Sequence, residues 1–109
     1  MVDLTGAIEV LDLPDGGSVT FIPARYEEGE ILIKPERAPQ GIRVKALRVY
    51  VEPATKPIGA PYYDITSGTL IAQLRPTLSR GDFTQYRYKI TKYGVAPAAR
   101  FGLEVTRIS

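Results

Sequence analysis

Apolar and polar residues alternate most clearly near the C-terminus. Residues 83–93 are rich in the aromatic and β-branched side chains that strands favour. Because successive side chains of a strand point to opposite faces, this segment is predicted to be a strand with one buried face. The predicted buried face carries Tyr86, Tyr88 and Ile90, and the predicted outward face carries Gln85, Arg87, Lys89 and Tyr93.

A second alternating segment follows a predicted loop over residues 94–98. Its apolar and polar positions exchange strictly, which predicts a half-buried strand that closes a hairpin with the preceding one. The alternating residues are Phe101, Leu103 and Val105 on one face, and Arg100, Glu104 and Thr106 on the other.

The longest predicted strand covers residues 42–52, and its apolar face changes midway. A strand that exchanges its buried face is predicted to contain a bulge. Residues 53–61 hold three prolines and one glycine and are predicted to be a surface connection. The two apolar sets are Ile42, Val44 and Ala46, and then Leu47, Val49 and Val51.

The N-terminal part is predicted to be an antiparallel meander of three strands, over residues 4–13, 19–23 and 31–33. Residues 14–17, Pro-Asp-Gly-Gly, form a strong turn signal, and residues 26–29 are predicted to be a polar turn. In the first strand, Leu11 and Leu13 change phase relative to Ile8 and Val10, which predicts a bulge or a strand covered on both faces.

One segment follows helical spacing. Apolar residues at i, i+1, i+4 and i+8 share one face of a helix, and they occur here at Leu70, Ile71, Leu74 and Leu78. Pro76 lacks a backbone N–H, so the helix is predicted near residues 66–76, with its regular part ending by Arg75. A strand over residues 69–74 is the alternative. The residues able to cap the helix start are Asp64, Thr66 and Ser67.

These elements predict a mainly β, or β-rich α+β, protein. A length of 109 residues and a mass of 12.0 kDa suit a single domain over residues 1–109. About six strands and one helix fit a small antiparallel barrel, of which an OB-like barrel is one form. They fit equally a twisted antiparallel sheet with the helix packed on it.

The residue types that the chain lacks exclude several kinds of catalytic and metal-binding function. The chain has no His and no Cys, which removes the usual general base, the thiolate nucleophile and the commonest zinc ligands. Two sets of carboxylates lie in or beside predicted turns, where solvated acids are ordinary: Asp12 with Asp15, and Glu27, Glu28 and Glu30. We therefore expect a protein that is not an enzyme and that needs no cofactor and no metal ion.

Composition also bears on habitat and location. The chain has no Asn, one Met and nine Pro, a bias that hyperthermophilic organisms favour. It has no apolar run of the roughly 18 residues that a membrane-spanning helix needs, and its first residues do not resemble a signal peptide. We expect a cytoplasmic protein with no membrane partner.

The net charge of +2 conceals a strong asymmetry along the chain. Residues 1–40 contain three basic and eight acidic residues, a net charge of −5. Residues 41–109 contain eleven basic and four acidic residues, a net charge of +7. Such an asymmetry indicates an anionic partner or self-association.

A basic and aromatic sheet face is the first functional hypothesis. If the long strand and the two C-terminal strands are neighbours in one sheet, their cations share one surface with aromatic rings. Cations neutralise phosphates, and each base stacked on a ring adds about 1–3 kcal/mol. The chain is thus predicted to bind nucleic acid, single-stranded DNA or RNA. Phosphates would be held by Arg43, Lys45, Arg87, Lys89 and Arg100, and bases would stack on Phe83 and Tyr93, or on Tyr86 and Tyr88 if the opposite strand face is outward.

The second hypothesis is a structural or assembly module, such as a viral, phage or complex subunit. Outward Lys and Arg are ordinary on soluble sheets, and Glu104 would pair with neighbouring cations. The charge asymmetry would then serve a homo-oligomer, in which the acidic N-terminal half of one copy meets the basic C-terminal half of the next.

Overall fold

The computed structural model describes residues 3–34, 39–95 and 99–108, and in these residues it contains six strands and one α-helix. The prediction of a mainly β protein is confirmed. The strands form two antiparallel sheets that are not closed into a barrel, which agrees with the twisted-sheet alternative. The strands are β1 (Ser18–Phe21), β2 (Pro23–Ile33), β3 (Ile42–Val51), β4 (Tyr62–Ile65), β5 (Tyr86–Tyr93) and β6 (Arg100–Arg107), and helix α1 spans Gly68–Leu78.

Each sheet has three strands, in the orders β2-β3-β4 and β1-β5-β6. The chain passes from one sheet to the other between β1 and β2, and the ladder of β2 is irregular between Pro23 and Arg25. The predicted N-terminal meander is therefore wrong, because β1 pairs with β5 rather than with its neighbour in sequence.

β2 runs without interruption through the polar turn predicted at residues 26–29. Glu27 lies opposite Arg48 of β3, and Glu28 lies opposite Leu47. Partners on neighbouring elements hold both acids in the strand: Glu27 accepts a hydrogen bond from the Tyr50 hydroxyl at 3.1 Å, and Glu28 accepts one from Arg75 Nη2 at 2.7 Å. The turn prediction is wrong because local composition does not reveal these partners.

β3 contains no bulge, since its register with β2 is unbroken from Ile42 to Tyr50. The change of apolar phase has another cause: both faces of β3 are covered. Ala46 packs with Leu4 and Ile31 on one face, whereas Leu47 belongs to the main core on the other.

The second cover is the N-terminal strap, residues 3–11. Leu4 N–H donates to the carbonyl of Glu30 in β2 at 2.9 Å, and Leu11 N–H donates to the carbonyl of Asp64 in β4 at 2.9 Å. Because β2 and β4 are the outer strands of their sheet, the strap crosses one sheet face. The strand predicted over residues 4–13 is wrong, since this segment crosses strands instead of running beside one.

The main core lies between the two sheets and α1. The helix contributes the predicted apolar stripe, Leu70, Ile71, Leu74 and Leu78, and all four are buried. They pack with residues of both sheets, including Leu47 and Val49 of β3 and Tyr88 and Ile90 of β5.

The helix is confirmed, but it ends at Leu78 rather than at Arg75. Pro76 removes one backbone donor, yet the last turn persists because Leu78 is buried and Ser79 N–H donates to the Arg75 carbonyl at 2.9 Å. Ser67 is the cap, and its side chain accepts from Leu70 N–H at 3.4 Å.

Strand β4 is absent from the sequence prediction, which placed a connection and then a helix in this region. The loop predicted at residues 94–98 falls partly on residues 96–98, which lie outside the described residues.

Candidate nucleic-acid interface

The exposed face of the β1-β5-β6 sheet carries four of the nine residues predicted for the site: Arg87, Lys89, Tyr93 and Arg100. Along β5, Tyr88 is 1% exposed, whereas Arg87 and Lys89 are exposed, so the predicted alternation of faces is confirmed. The antiparallel register places Glu104 opposite Lys89 and Arg100 opposite Tyr93 on the outward side. We call this surface the basic face: Arg87, Lys89, Thr91 and Tyr93 of β5, with Arg100, Gly102, Glu104 and Thr106 of β6.

Tyr93 is the aromatic side chain of the basic face and is 57% exposed. Its ring leans over Gly102 of the neighbouring strand, where an added Cβ would lie 3.0 Å from Tyr93 Cε2. Gly102 therefore leaves space for a ring that is supported on one side and open to solvent. Such a ring can stack on a planar partner.

Two of the predicted cations lie elsewhere. Arg43 and Lys45 belong to β3, which pairs with β2 and β4 in the other sheet. Arg43 forms an ion pair with Asp3 of the strap. The condition that all five cations share one sheet is therefore not met, because strand partners are set by long-range packing.

Three of the predicted aromatic residues also lie off the basic face. Phe83 precedes β5 in a short 3₁₀ turn and contacts the Tyr26 ring edge-on, with a centroid distance of 5.4 Å. Tyr88 is buried in the core, and its burial raises the pKa of the phenol. Tyr86 is half-buried, with the guanidinium groups of Arg80 and Arg107 at 5.5 and 5.8 Å from its ring centroid.

Ion pairs within the chain take up much of the charge asymmetry. Three carboxylates of the acidic N-terminal part pair with cations of the basic C-terminal part: Asp3 with Arg43, Glu9 with Lys56, and Glu28 with Arg75. In contrast, no carboxylate of the described residues lies within 4.0 Å of Arg87, Lys89 or Arg100. Positive charge free of an ion pair is thus present on the basic face.

The ion pair between Arg48 and Asp64 is not among the sequence predictions, and it is the most buried of the five observed. Arg48 Nε donates to Asp64 Oδ1 at 2.6 Å, and Nη2 donates to Oδ2 at 3.1 Å. These hydrogen bonds raise the pKa of the Arg48 guanidinium above its usual range. The sequence predicts Asp64 as a candidate helix cap, whereas the sequence signal for a buried ion pair is Arg48, a charged residue within the apolar part of β3.

The buried pair fastens the strap to the sheet. Arg48 Nη1 also donates to the carbonyl of Thr5, and Asp64 Oδ2 accepts from Glu9 N–H at 2.9 Å. Tyr62 packs against the Arg48 guanidinium at 4.1 Å and donates its hydroxyl proton to the carbonyl of Ala7. Every buried side-chain nitrogen and oxygen of this cluster has a hydrogen-bond partner within the chain, which indicates a structural role.

Three of the acidic residues singled out from the sequence can be located in the described chain by their strand position or contacts. Glu27 and Glu28 are neighbours in β2 and point to opposite faces of the sheet, and Asp15 Oδ1 accepts from Gly94 N–H at 2.8 Å. Across residues 3–34, 39–95 and 99–108, no three acidic side chains converge as a metal site would require. The helix that the structure describes is too short and too polar to cross a membrane.

Comparison with protein-family models, with curated proteins and with solved structures finds no match to this chain.

Proposed function

We propose that the protein binds single-stranded nucleic acid on the basic face and performs no chemistry on it. The observation that carries the proposal is that Arg87, Lys89 and Arg100 share one sheet face with the exposed ring of Tyr93, a face that no other described element covers. The cations suit phosphates, and the ring suits a base.

The geometry also favours single strands over a duplex. A sheet face offers an open platform on which unpaired bases can lie, whereas bases in a duplex are already stacked on one another. One exposed ring and three cations form a small contact set, so binding is expected to tolerate many sequences and to depend strongly on salt. Arg43, Lys45, Phe83, Tyr86 and Tyr88 are not part of this contact set.

The test is fluorescence anisotropy with labelled single-stranded DNA, single-stranded RNA and duplex DNA across a salt series. Replacing Arg87 and Lys89 together by Gln should weaken single-strand binding and make the slope of log K against log salt shallower by about 1.4. The matched control replaces Arg43 and Lys45 by Gln, which removes the same charge from the other sheet and should leave the slope unchanged.

The ring provides an independent arm of the same experiment. Tyr93→Ala should lower single-strand affinity at least about fivefold without changing the salt slope, because stacking involves no counterion release. The proposal fails if the Arg87 and Lys89 double variant binds as tightly as the parent chain, or if both double variants lose the same affinity. In the second case the binding would follow net charge and not the basic face.

A further inference from the structure

β6 has a free edge. In the β1-β5-β6 sheet it is the outer strand, and among the described residues β5 is its one strand partner. Ile108 N–H donates to the Gln85 carbonyl at 2.9 Å, so the even-numbered residues of β6 direct their backbone groups towards β5. The N–H and C=O groups of Phe101, Leu103 and Val105 therefore point away from the sheet.

Of the other outer strands of the described chain, β1 is short, and β2 and β4 each form backbone hydrogen bonds with the strap on their outer edge. The strap bonds to Glu30 on β2 and to Asp64 on β4, and β1 has four residues. β6 has eight residues, and the one side chain seen bonded to its free edge is Gln73, whose Nε2 donates to the Phe101 carbonyl at 3.1 Å. An uncovered strand edge of this length is a template for pairing with another strand.

We infer that two copies of the chain associate through β6, pairing antiparallel about a two-fold axis at Gly102. In this register Arg100 of each copy lies opposite Glu104 of the other, on the outward side. Phe101 lies opposite Leu103 of the second copy on the inward side. Residues 101 and 103 exchange both backbone hydrogen bonds in each half of the interface, and the Phe101 carbonyl accepts from Leu103 N–H of the second copy in place of Gln73.

Charge complementarity selects this register. Glu104 is the one carboxylate among the described residues of the basic face, and Lys89 lies beside it within the chain. The proposed pairing places Arg100 of the second copy on its other side, so a row of alternating charge crosses the seam. A register centred on Glu104 would instead oppose two like charges, which is unfavourable.

The dimer has a six-stranded sheet, β1-β5-β6 continued by β6-β5-β1 of the second copy. The two basic faces become one surface, with a Tyr93 ring on each side of the central Gly102 pair. Association itself needs no nucleic acid, so it stands or fails independently of the proposed function.

The test is sedimentation equilibrium of the full chain without nucleic acid, from roughly 1 µM to 1 mM. The parent chain should pass from the 12.0 kDa monomer to twice that mass. Arg100→Glu and Glu104→Arg, each alone, should weaken the dimer about tenfold or more, because each places like charges opposite one another twice. The double variant restores both pairs and should dimerise like the parent.

Arg87→Glu is the matched control, since it changes the same charge on the same face away from the seam, and it should leave the dimer intact. Amide exchange gives a second readout that needs no variant. Raising the concentration should protect the amides of Phe101 and Leu103, whereas that of Gly102 already bonds to β5. A parent chain that stays monomeric over the whole range overturns the inference, as does a dimer that both single variants leave unchanged or that the double variant fails to restore.

Discussion

A single buried ion pair determines how the N-terminus is attached. Arg48 is 2% exposed and Asp64 is 0% exposed, and both form hydrogen bonds to each other and to the strap. Removing a charge from water is costly, so such a pair depends on both partners being present. The pair holds the strap by its backbone, which explains why a segment with little regular structure covers a sheet face.

Removing one partner should therefore destabilise the fold strongly. Asp64→Ala leaves a buried guanidinium without its counterion and should lower the free energy of unfolding by about 3–5 kcal/mol, measured by urea denaturation. The double variant Arg48→Met and Asp64→Leu should lose less than Asp64→Ala alone.

The control is Asp3→Ala, which breaks an exposed pair with Arg43 and should cost under about 1 kcal/mol. Equal losses in the two single alanine variants would contradict the structural role assigned to the buried pair.

At the scale of helices and strands, burial against other elements outweighs the structure that the local sequence pattern predicts. β3 carries apolar side chains on both faces because the main core packs on one face and the strap packs on the other, and no bulge is needed. α1 continues through Pro76 because burial of Leu78 offsets the missing hydrogen bond. A change of apolar phase does favour a bulge, and proline does weaken a helix. In this protein the tertiary contacts outweigh both effects.

Pro76 should therefore lower the free energy of unfolding by a measurable amount. Pro76→Ala restores a backbone donor in the last turn of α1 and should raise the free energy of unfolding by about 1 kcal/mol, read from the urea midpoint. Pro57→Ala is the matched control. Pro57 lies in an exposed connection, where proline restricts the unfolded chain, so its loss should be neutral or slightly destabilising. A less stable Pro76→Ala variant would show that the ring packs favourably where it is.

At the scale of the whole molecule, the two sheets and α1 share one main hydrophobic core. Phe21 of β1 lies between two tyrosine rings, with centroid distances of 5.6 Å to Tyr63 and 5.9 Å to Tyr88. These contacts join the two sheets, since Tyr63 belongs to β4 and Tyr88 to β5. Burial raises the pKa of both phenols, and the charge of Glu9 adds to the effect at Tyr63.

Stability should consequently fall in alkaline solution. The unfolded chain releases its tyrosine protons near pH 10, whereas the folded chain retains those of Tyr63 and Tyr88 to higher pH. Above about pH 10 the folded state thus binds more protons than the unfolded state, and the free energy of unfolding decreases as pH rises. Urea denaturation at pH 8 to 11 measures this slope. Tyr88→Phe should make it shallower, and an unchanged slope would contradict the assignment.

Much of the fold follows from spacing that a reader of the sequence can find. The alternation around Tyr88 and Ile90 predicts which face of β5 is buried, because a strand has only two faces. The stripe that begins at Leu70 predicts α1 for the equivalent reason. On the basic face, Arg87, Lys89, Tyr93 and Arg100 could be chosen from the sequence, since they lie on adjacent strands of a predicted hairpin.

Long-range partners could not be chosen in this way. Whether Arg43 and Arg87 lie on the same sheet face depends on which strands pair. The pairing is determined by how the two sheets pack on one helix. Glu9 and Lys56 are 47 positions apart in the sequence, so no local sequence pattern predicts their ion pair. The sequence by itself determined the periodicities, the strand faces and the absence of His and Cys chemistry, because each is a property of neighbouring residues or of composition. Only the tertiary structure decided how the sheets divide, what covers β3 and which charges stay unpaired, because each depends on residues that folding brings together from distant parts of the chain.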